Sequence, residues 1–419
     1  MRKVFLFILL TLAVSTYAQM NIECVGEPGS ITQVVQGNDT IYIFRDEIHM
    51  RSTIGPINWY DDDGFEVASG VEDFYPSDGC YFAEGHSFCV LLYTDIEDLD
   101  MTLEADCEDT YIHVSGEMGT LERTYSLSYN ALAWNGEQWT DSAVRDTGKL
   151  RPTLYLPAMY AATPITLCYD ARIRSALGLD SACVTVNLEE EDVKAVNMML
   201  THIVTTRGAG EEKSNEKNRP STETIIVGHT YSGPLEVAFY SNPTPAAEYY
   251  RWSIYKGNEL IVNRFDPDIR YTFSEPGTYR VVCGVNNQLC ASDSSDVTVA
   301  IAESFLSVPN VFTPNESDDI NSEFRVAYQS LREYHIWIYN RWGKLVYEST
   351  DPAKGWDGTI NGKKAAVGAY YYVIRALGTD AAKDAQYVGL KAVYNKRKAN
   401  SDASVIGVYQ LSGDINLLR

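Results

Sequence analysis

The chain has little of what most catalytic centres need. Its 419 residues hold six histidines, His49, His86, His113, His202, His229 and His335, spread along the length, and none falls in an HExxH pattern. There is no P-loop and no GxGxxG. Gly85-His86-Ser87-Phe88-Cys89 starts like a nucleophile elbow but lacks the closing glycine, and strand-like sequence surrounds it. Asp61-Asp62-Asp63 falls in a hairpin turn, whereas paired carboxylates for hydrolysis need a cleft. No CxxC pair occurs, and His86 beside Cys89 has no second pair to complete a zinc site. Neither an enzyme nor a cofactor is expected. Positive charge is short as well: the formal net charge is −23. That argues against nucleic acid and anionic lipid as partners, since both reward a basic face. Beyond the N-terminus no apolar run is long enough to span a bilayer.

The N-terminus itself reads as a secretory signal peptide over residues 1–18. Arg2 and Lys3 form a basic start, Val4 to Val14 an apolar run, and Thr16-Tyr17-Ala18 a small-residue cleavage site before Gln19. Cys24 lies too far beyond that site for a lipoprotein anchor. Eight cysteines in an exported chain favour disulfides. Residues 283–290 read CGVNNQLC, and a two-residue turn at Asn286-Asn287 would set Cys283 opposite Cys290. Cys168 and Cys183 could bridge a longer hairpin in the same way.

Short runs rich in Val, Ile, Tyr and Thr, punctuated by turn residues, predict an all-β chain. Only residues 171–177 and 193–202 carry a weak helical pattern. Trp59, Trp134, Trp252 and Trp337 each precede a turn, and the first three are followed by Cys89, Cys168 and Cys283. A core tryptophan with a cysteine a few strands later is the habit of immunoglobulin-like sandwiches. Four modules are expected, at 19–105, 106–192, 193–302 and 303–419, with a flexible loop over 208–222 (GAGEEKSNEKNRPST). Charge divides unevenly among them. From Glu303 onward there are 14 basic and 13 acidic residues, against 18 and 44 in 19–302. The third module, with Trp252-Ser253-Ile254-Tyr255, Tyr271-Thr272-Phe273 and Gly277-Thr278-Tyr279-Arg280-Val281, resembles polycystic-kidney-disease-type (PKD) domains, which implies a spacer or adhesive sandwich.

Four ordered landmarks mark the last module. They are VPNVFTPN (308–315), WIYNRWG (337–343), GWDGT (355–359) and GAYYYVI (368–374), ahead of a terminal Asn416-Leu417-Leu418-Arg419. This module resembles the gliding-motility-associated C-terminal domain, the type B sorting domain of the type IX secretion system. The resemblance implies export through the type IX translocon, retention at the cell surface, and docking on a PorP/SprF-like outer-membrane β-barrel protein. Aromatic residues anchor strong interfaces, so Tyr339, Arg341, Trp342, Trp356, Tyr371 and Arg419 are the docking candidates. Trp337 is expected in the core and Trp342, in the turn, partly exposed. Where the family carries Asn-Gly-Asp-Gly, this chain has NESDDINSE (315–323). Asp318, Asp319 and Glu323 could meet a Ca²⁺, which takes oxygen ligands, but a solvated acidic turn is the plainer reading. The segment from Ala376 to Ser412 exceeds the family's usual hairpin and carries the basic run Lys396-Arg397-Lys398. Two roles fit: an accessory of the secretion or gliding apparatus, or a displayed adhesin or glycan-binding passenger.

Overall fold

The computed structural model describes residues 21–26, 31–36, 39–44, 48–92, 99–116, 123–176, 180–205, 214–314, 321–383 and 406–419. The signal peptide, Asp318, Asp319, Lys396-Arg397-Lys398 and residues 208–213 lie outside them. Among the described residues the chain is all-β. The one α-helix, Ala171–Ala176, falls on the first weakly helical stretch. The second, 193–202, is not helical: it runs extended into the strand Thr201–Val204 after a 3₁₀ turn at Glu190–Asp192. Val193, Ala195, Val196 and Met198 are buried there, so core contacts override a weak helical preference. Among the described residues no helix is long and apolar enough to cross a membrane.

The chain divides into two compact units, one of residues 1–133 and 139–193, the other of 134–138 and 194–419. The first unit begins with a three-stranded sheet, Ile22–Val25, His49–Ser52 and Asp73–Phe74. It packs against a six-stranded sheet ordered Ile31–Gln36, Asp39–Phe44, His86–Leu92, Gly79–Ala83, Ile57–Asp61 and Glu66–Val71. Trp59 lies between them, fully buried, 5.2 Å from the Phe74 ring and 6.2 Å from Phe88. A buried indole needs a partner for its N–H, and Trp59 Nε1 donates to the Val71 carbonyl. The same unit holds a three-stranded sheet of Asp100–Ala105, Asp109–Ser115 and Thr153–Pro157. A four-stranded sheet follows, ordered Trp139–Lys149, Thr124–Trp134, Thr163–Tyr169 and Ala182–Leu188. Trp134, expected in the core, is only half-buried. It ends a strand in which Leu127 and Tyr129 are the buried residues, so it lies past the packed part.

Cys168 and Cys183 face each other in register and form a disulfide, as do Cys80 and Cys89. Cys283 and Cys290 do not pair with each other: Cys283 is a free, buried thiol and Cys290 is disulfide-bonded elsewhere. The reason is the turn. Strand Gly277–Asn286 continues through Asn286, and Asn287 caps a longer turn by accepting the Cys290 and Leu289 amides on Oδ1. Cys283 therefore lies opposite Ser295, and Cys290 sits in the turn itself.

In the second unit two sheets share one core. One is Thr201–Val204, Leu235–Tyr240 and Asp268–Phe273. The other is ordered Thr230–Tyr231, Ser295–Ile301, Gly277–Asn286, Tyr249–Lys256 and Glu259–Arg264. Trp252, Phe239 and Phe273 fill the space between them. Gly277 enters its strand at φ +138°, and the Tyr279 hydroxyl donates back to the Glu275 carbonyl, which closes a sandwich corner. The rest of the unit is a five-stranded sheet ordered Val311–Phe312, Val408–Leu417, Gly368–Gly378, Leu331–Tyr339 and Leu345–Ser349. It is flanked by two-stranded pieces, Phe305–Ser307 with Ala327–Gln329 and Thr359–Ile360 with Lys363–Lys364.

Burial pushes the Cys24 thiol up to about 11 and Cys283 up to about 12, so neither is a reactive thiolate at neutral pH. Iodoacetamide added to the denatured, unreduced protein should label Cys24 and Cys283 and no other cysteine, as read by peptide mass spectrometry. Native protein should resist it at both. A second expectation concerns His202. Its Nε2 accepts the Ile225 amide, which only a neutral ring can do, and burial holds the imidazole below its ordinary range. The unfolded state then binds the proton more tightly. Stability contributed here is full above the ordinary imidazole value of about 6.5 and falls as pH drops through it. Thermal melts between pH 7.5 and 5 should show this loss, and His202→Gln, which keeps an acceptor without a titration, should flatten it.

Candidate functional site

Strand Leu331–Tyr339 lies in the C-terminal sheet between the central strand Gly368–Gly378 and the edge strand Leu345–Ser349. Its two-residue period turns Tyr334, Ile336 and Ile338 inward and leaves His335, Trp337 and Tyr339 on the other face. The neighbours follow in register. Tyr339 faces Tyr371 on one side and Leu345 on the other, while Trp337 faces Val373 and Glu348. Tyr371 is 49% exposed. A half-open aromatic face results, with a shallow groove at one end lined by Arg332, Glu333, His335, Trp337, Thr350 and Arg375.

Trp337 thus lies on the outer face and not in the core where it was expected, because the inward positions belong to Ile336 and Ile338. His335 stacks on it at 3.7 Å between ring centroids, and Arg375 lies over it at 5.8 Å. Glu348 Oε1 ties the group together. It accepts the Trp337 indole N–H at 2.9 Å and is 2.7 Å from His335 Nε2. Cation, indole and carboxylate make a rigid polar-aromatic platform, suited to gripping a flat apolar or hydrogen-bonding surface. Trp342 stands at the hairpin tip, 74% exposed, with the Arg341 guanidinium 4.0 Å over its ring. Asn340 Oδ1 accepts the Trp342 and Lys344 amides and shapes that turn.

Two docking candidates have other work. Trp356 is 1% exposed. Its ring lies 4.9 Å from Tyr370 and 5.3 Å from Phe312, and its Nε1 donates to the Thr359 carbonyl. It is the core tryptophan of this module and offers no surface. The motif around it is built for close approach. A Cβ on Gly355 would meet Arg325 Cγ at 2.5 Å. One on Gly358, at φ +72°, would meet Pro314 Cγ at 2.7 Å. Arg419 latches this loop: its guanidinium donates to the Ala365 and Gly358 carbonyls at 2.8 and 3.0 Å. Tyr339, Arg341, Trp342 and Tyr371 remain together on the outer face and tip.

Glu323, the one described member of the proposed Ca²⁺ set, is bound by Arg325 at 2.6 Å. Among the described residues no three His, Cys, Asp or Glu side chains cluster as a metal site would need. His335, Glu348 and Arg375 were missed in the sequence, although the alternation of 331–339 marks His335 as outward.

The two tryptophans separate folding from surface chemistry. Trp356→Ala should destabilise the module by about 3–5 kcal/mol, as buried large aromatics do. Trp342→Ala should leave its denaturation midpoint unchanged. Chemical denaturation followed by the remaining tryptophan fluorescence checks both.

Residues 306–390 match the family model of the CHU_C Type IX secretion signal domain. Among curated proteins none matches the chain. Among solved structures, the chain is similar to the chicken CNTN1 FN1–FN3 domains, at 11% identity and TM-score 0.24, over 68% of this chain and 93% of that one. It is similar to a two-domain fibronectin type III segment of chicken tenascin, at 9% identity and TM-score 0.21, over 49% and 98%. It is also similar to a tetra-tandem repeat from the extending region of a large adhesion protein, at 10% identity and TM-score 0.20, over 88% and 95%. The all-β assignment rests on the sheets themselves. The C-terminal part of this β-rich chain thus carries, at residues 306–390, the match to the type IX secretion signal domain.

Proposed function

We propose that this is a non-catalytic surface protein, exported by the type IX secretion system and held at the outer membrane by its C-terminal module. The observation that carries the reading is the match of 306–390 to a type IX signal domain, which implies export by that system. The outer face with Tyr339 and Tyr371, and the tip with Arg341 and Trp342, supply the docking surface for an outer-membrane β-barrel of the PorP/SprF kind. An accessory role in the secretion or gliding apparatus fits a chain whose remaining modules are plain sandwiches. Four of the six histidines are engaged in ways that support a non-catalytic role. His49 lies beside Arg51 and Asp73, His113 stacks on Tyr111, His202 accepts a backbone amide, and His335 is held by Glu348.

A second reading, a displayed adhesin or glycan-binding passenger, draws on the first module. Phe65 and Tyr75 are about as exposed there as Trp342, and such rings suit sugar or protein contact. Pull-down from detergent-solubilised outer membranes separates the two. An outer-membrane barrel recovered near stoichiometry supports the accessory role, and recovery with glycans alone supports the passenger.

Deleting residues 303–419 should leave the remainder in the periplasm. Surface protease accessibility of the truncated chain in intact cells would sink the sorting assignment.

A further inference from the structure

The loop expected to be flexible over 208–222 is, in its described part, a strap. Glu216 bridges in parallel to Tyr328, beside the short strand Ala327–Gln329. The backbone pairing is reciprocal. Lys217 N donates to the Tyr328 carbonyl at 2.8 Å, and Tyr328 N donates to the Asn215 carbonyl at 3.3 Å. Side chains reinforce it. Asn218 Nδ2 donates to Gln329 Oε1 at 2.7 Å, and Lys217 Nζ lies 3.8 Å over the Phe305 ring. Residues 214–218 thus lie along the free edge of the two-stranded sheet of Phe305–Ser307 and Ala327–Gln329, joined to it by a single bridge at Glu216 before the chain turns at Lys217 and Asn218.

The strap is tied at its other side to the PKD-like module. Ser232 N donates to the Asn218 carbonyl at 2.8 Å, and Ser232 Oγ to Glu216 Oε1 at 2.7 Å. Ser232 Oγ also accepts the Ser330 amide at 2.9 Å. Ser330 is fully buried and holds φ +51°, in the left-handed region. Its Oγ donates to the Ala302 carbonyl at 2.8 Å and accepts the Gly233 amide at 3.0 Å. Its own carbonyl accepts the Thr379 amide. Two sandwiches joined by a plain linker move independently unless their interface is extensive. Here the buried Ser330 hydroxyl, carried by the C-terminal module, satisfies the Gly233 amide and the Ala302 carbonyl of the PKD-like module, and buried polar groups are costly to leave unpaired.

We infer that the type IX signal unit of this chain extends back to residue 214. The strap 214–218 is an edge segment of the signal domain, bridged to Tyr328, and Ser330 locks that domain and the PKD-like module into one body presented to the secretion machinery. The inference builds on the sorting role proposed above. It makes Ser330, Ser232 and Glu216 positioning residues for a surface they do not touch. A fragment starting at 303 or 306 would lack the Asn215 carbonyl and Lys217 amide that pair with the Tyr328 backbone.

The test uses full-length protein with two variants. Ser330→Gly removes the hydroxyl at a position whose positive φ suits glycine, and Lys217→Pro removes the strap's amide donor. Hydrogen exchange by mass spectrometry comes first, because it does not depend on export. Either variant should raise exchange at 326–331 and 230–234 together, by about tenfold for the loss of one or two such bonds. Strands 368–378 and 408–417 should keep their protection, which shows that the module is still folded. Increased exchange confined to 214–218 would overturn the inference. Surface display of the same variants comes second, beside the chain lacking 303–419. Loss of display with an intact sheet supports the extended signal. Wild-type display by both variants while the deleted chain stays in the periplasm overturns the extension and leaves the sorting role standing. Display of the deleted chain itself removes the sorting role and with it the extended signal.

Discussion

The C-terminal module is organised by the two-residue period of one strand. With Ile336 and Ile338 turned inward, His335, Trp337 and Tyr339 must face outward. Every neighbour is then placed by register: Tyr371 and Leu345 beside Tyr339, Val373 and Glu348 beside Trp337. A one-residue slip would bury the aromatic face and expose the isoleucines. The bulge between Ile338 and Tyr339 lets the edge strand take up its twist while Leu345 stays on the outer side.

Around that sheet, the signal motifs turn out to be packing devices. Gly355 and Gly358 are glycines because Arg325, Pro314 and Phe312 leave no room for a Cβ. Trp356 between them fills the core, and Arg419 closes the loop from the far end of the chain. Val311 and Phe312 pair with Asn416 and Leu417, so the first and last strands of the five-stranded sheet, in chain order, are neighbours. The terminal residues therefore complete the fold instead of trailing from it. Burial carries most of the stability here, and the exposed hairpin tip at Arg341 and Trp342 is left to present a surface.

The two units differ in how they are held. In the first, cross-strand disulfides at Cys80–Cys89 and Cys168–Cys183 pin hairpins, and a buried Arg123–Asp170 pair joins two segments. The second relies on an aromatic core around Trp252 and on the polar contacts of Ser330 and the strap. Removing one partner of such a buried polar set costs more than the set contributes as a whole. That makes Ser330 a sensitive position.

Alternation, turn chemistry and glycine placement are local, so the all-β class, the Cys168–Cys183 hairpin and the exposed tip at Trp342 were readable strand by strand. Trp59 and Trp252 as core residues followed from the same habit. Trp134, Trp337 and Trp356 did not, because a tryptophan reads as buried or exposed only once its neighbours across the sheet are known. The pairing of Cys283 with Cys290 failed for a similar reason: a turn two residues longer moves one sulfur out of register. The loop 208–222 looked flexible because it lacks apolar residues, yet residues 214–218 are held by hydrogen bonds to Tyr328 and Gln329, more than a hundred positions away. Local pattern set which strands form and which way each side chain points. Contacts between distant segments decided which rings are covered, which sulfurs meet and where one module stops, because burial depends on what arrives from elsewhere in the chain.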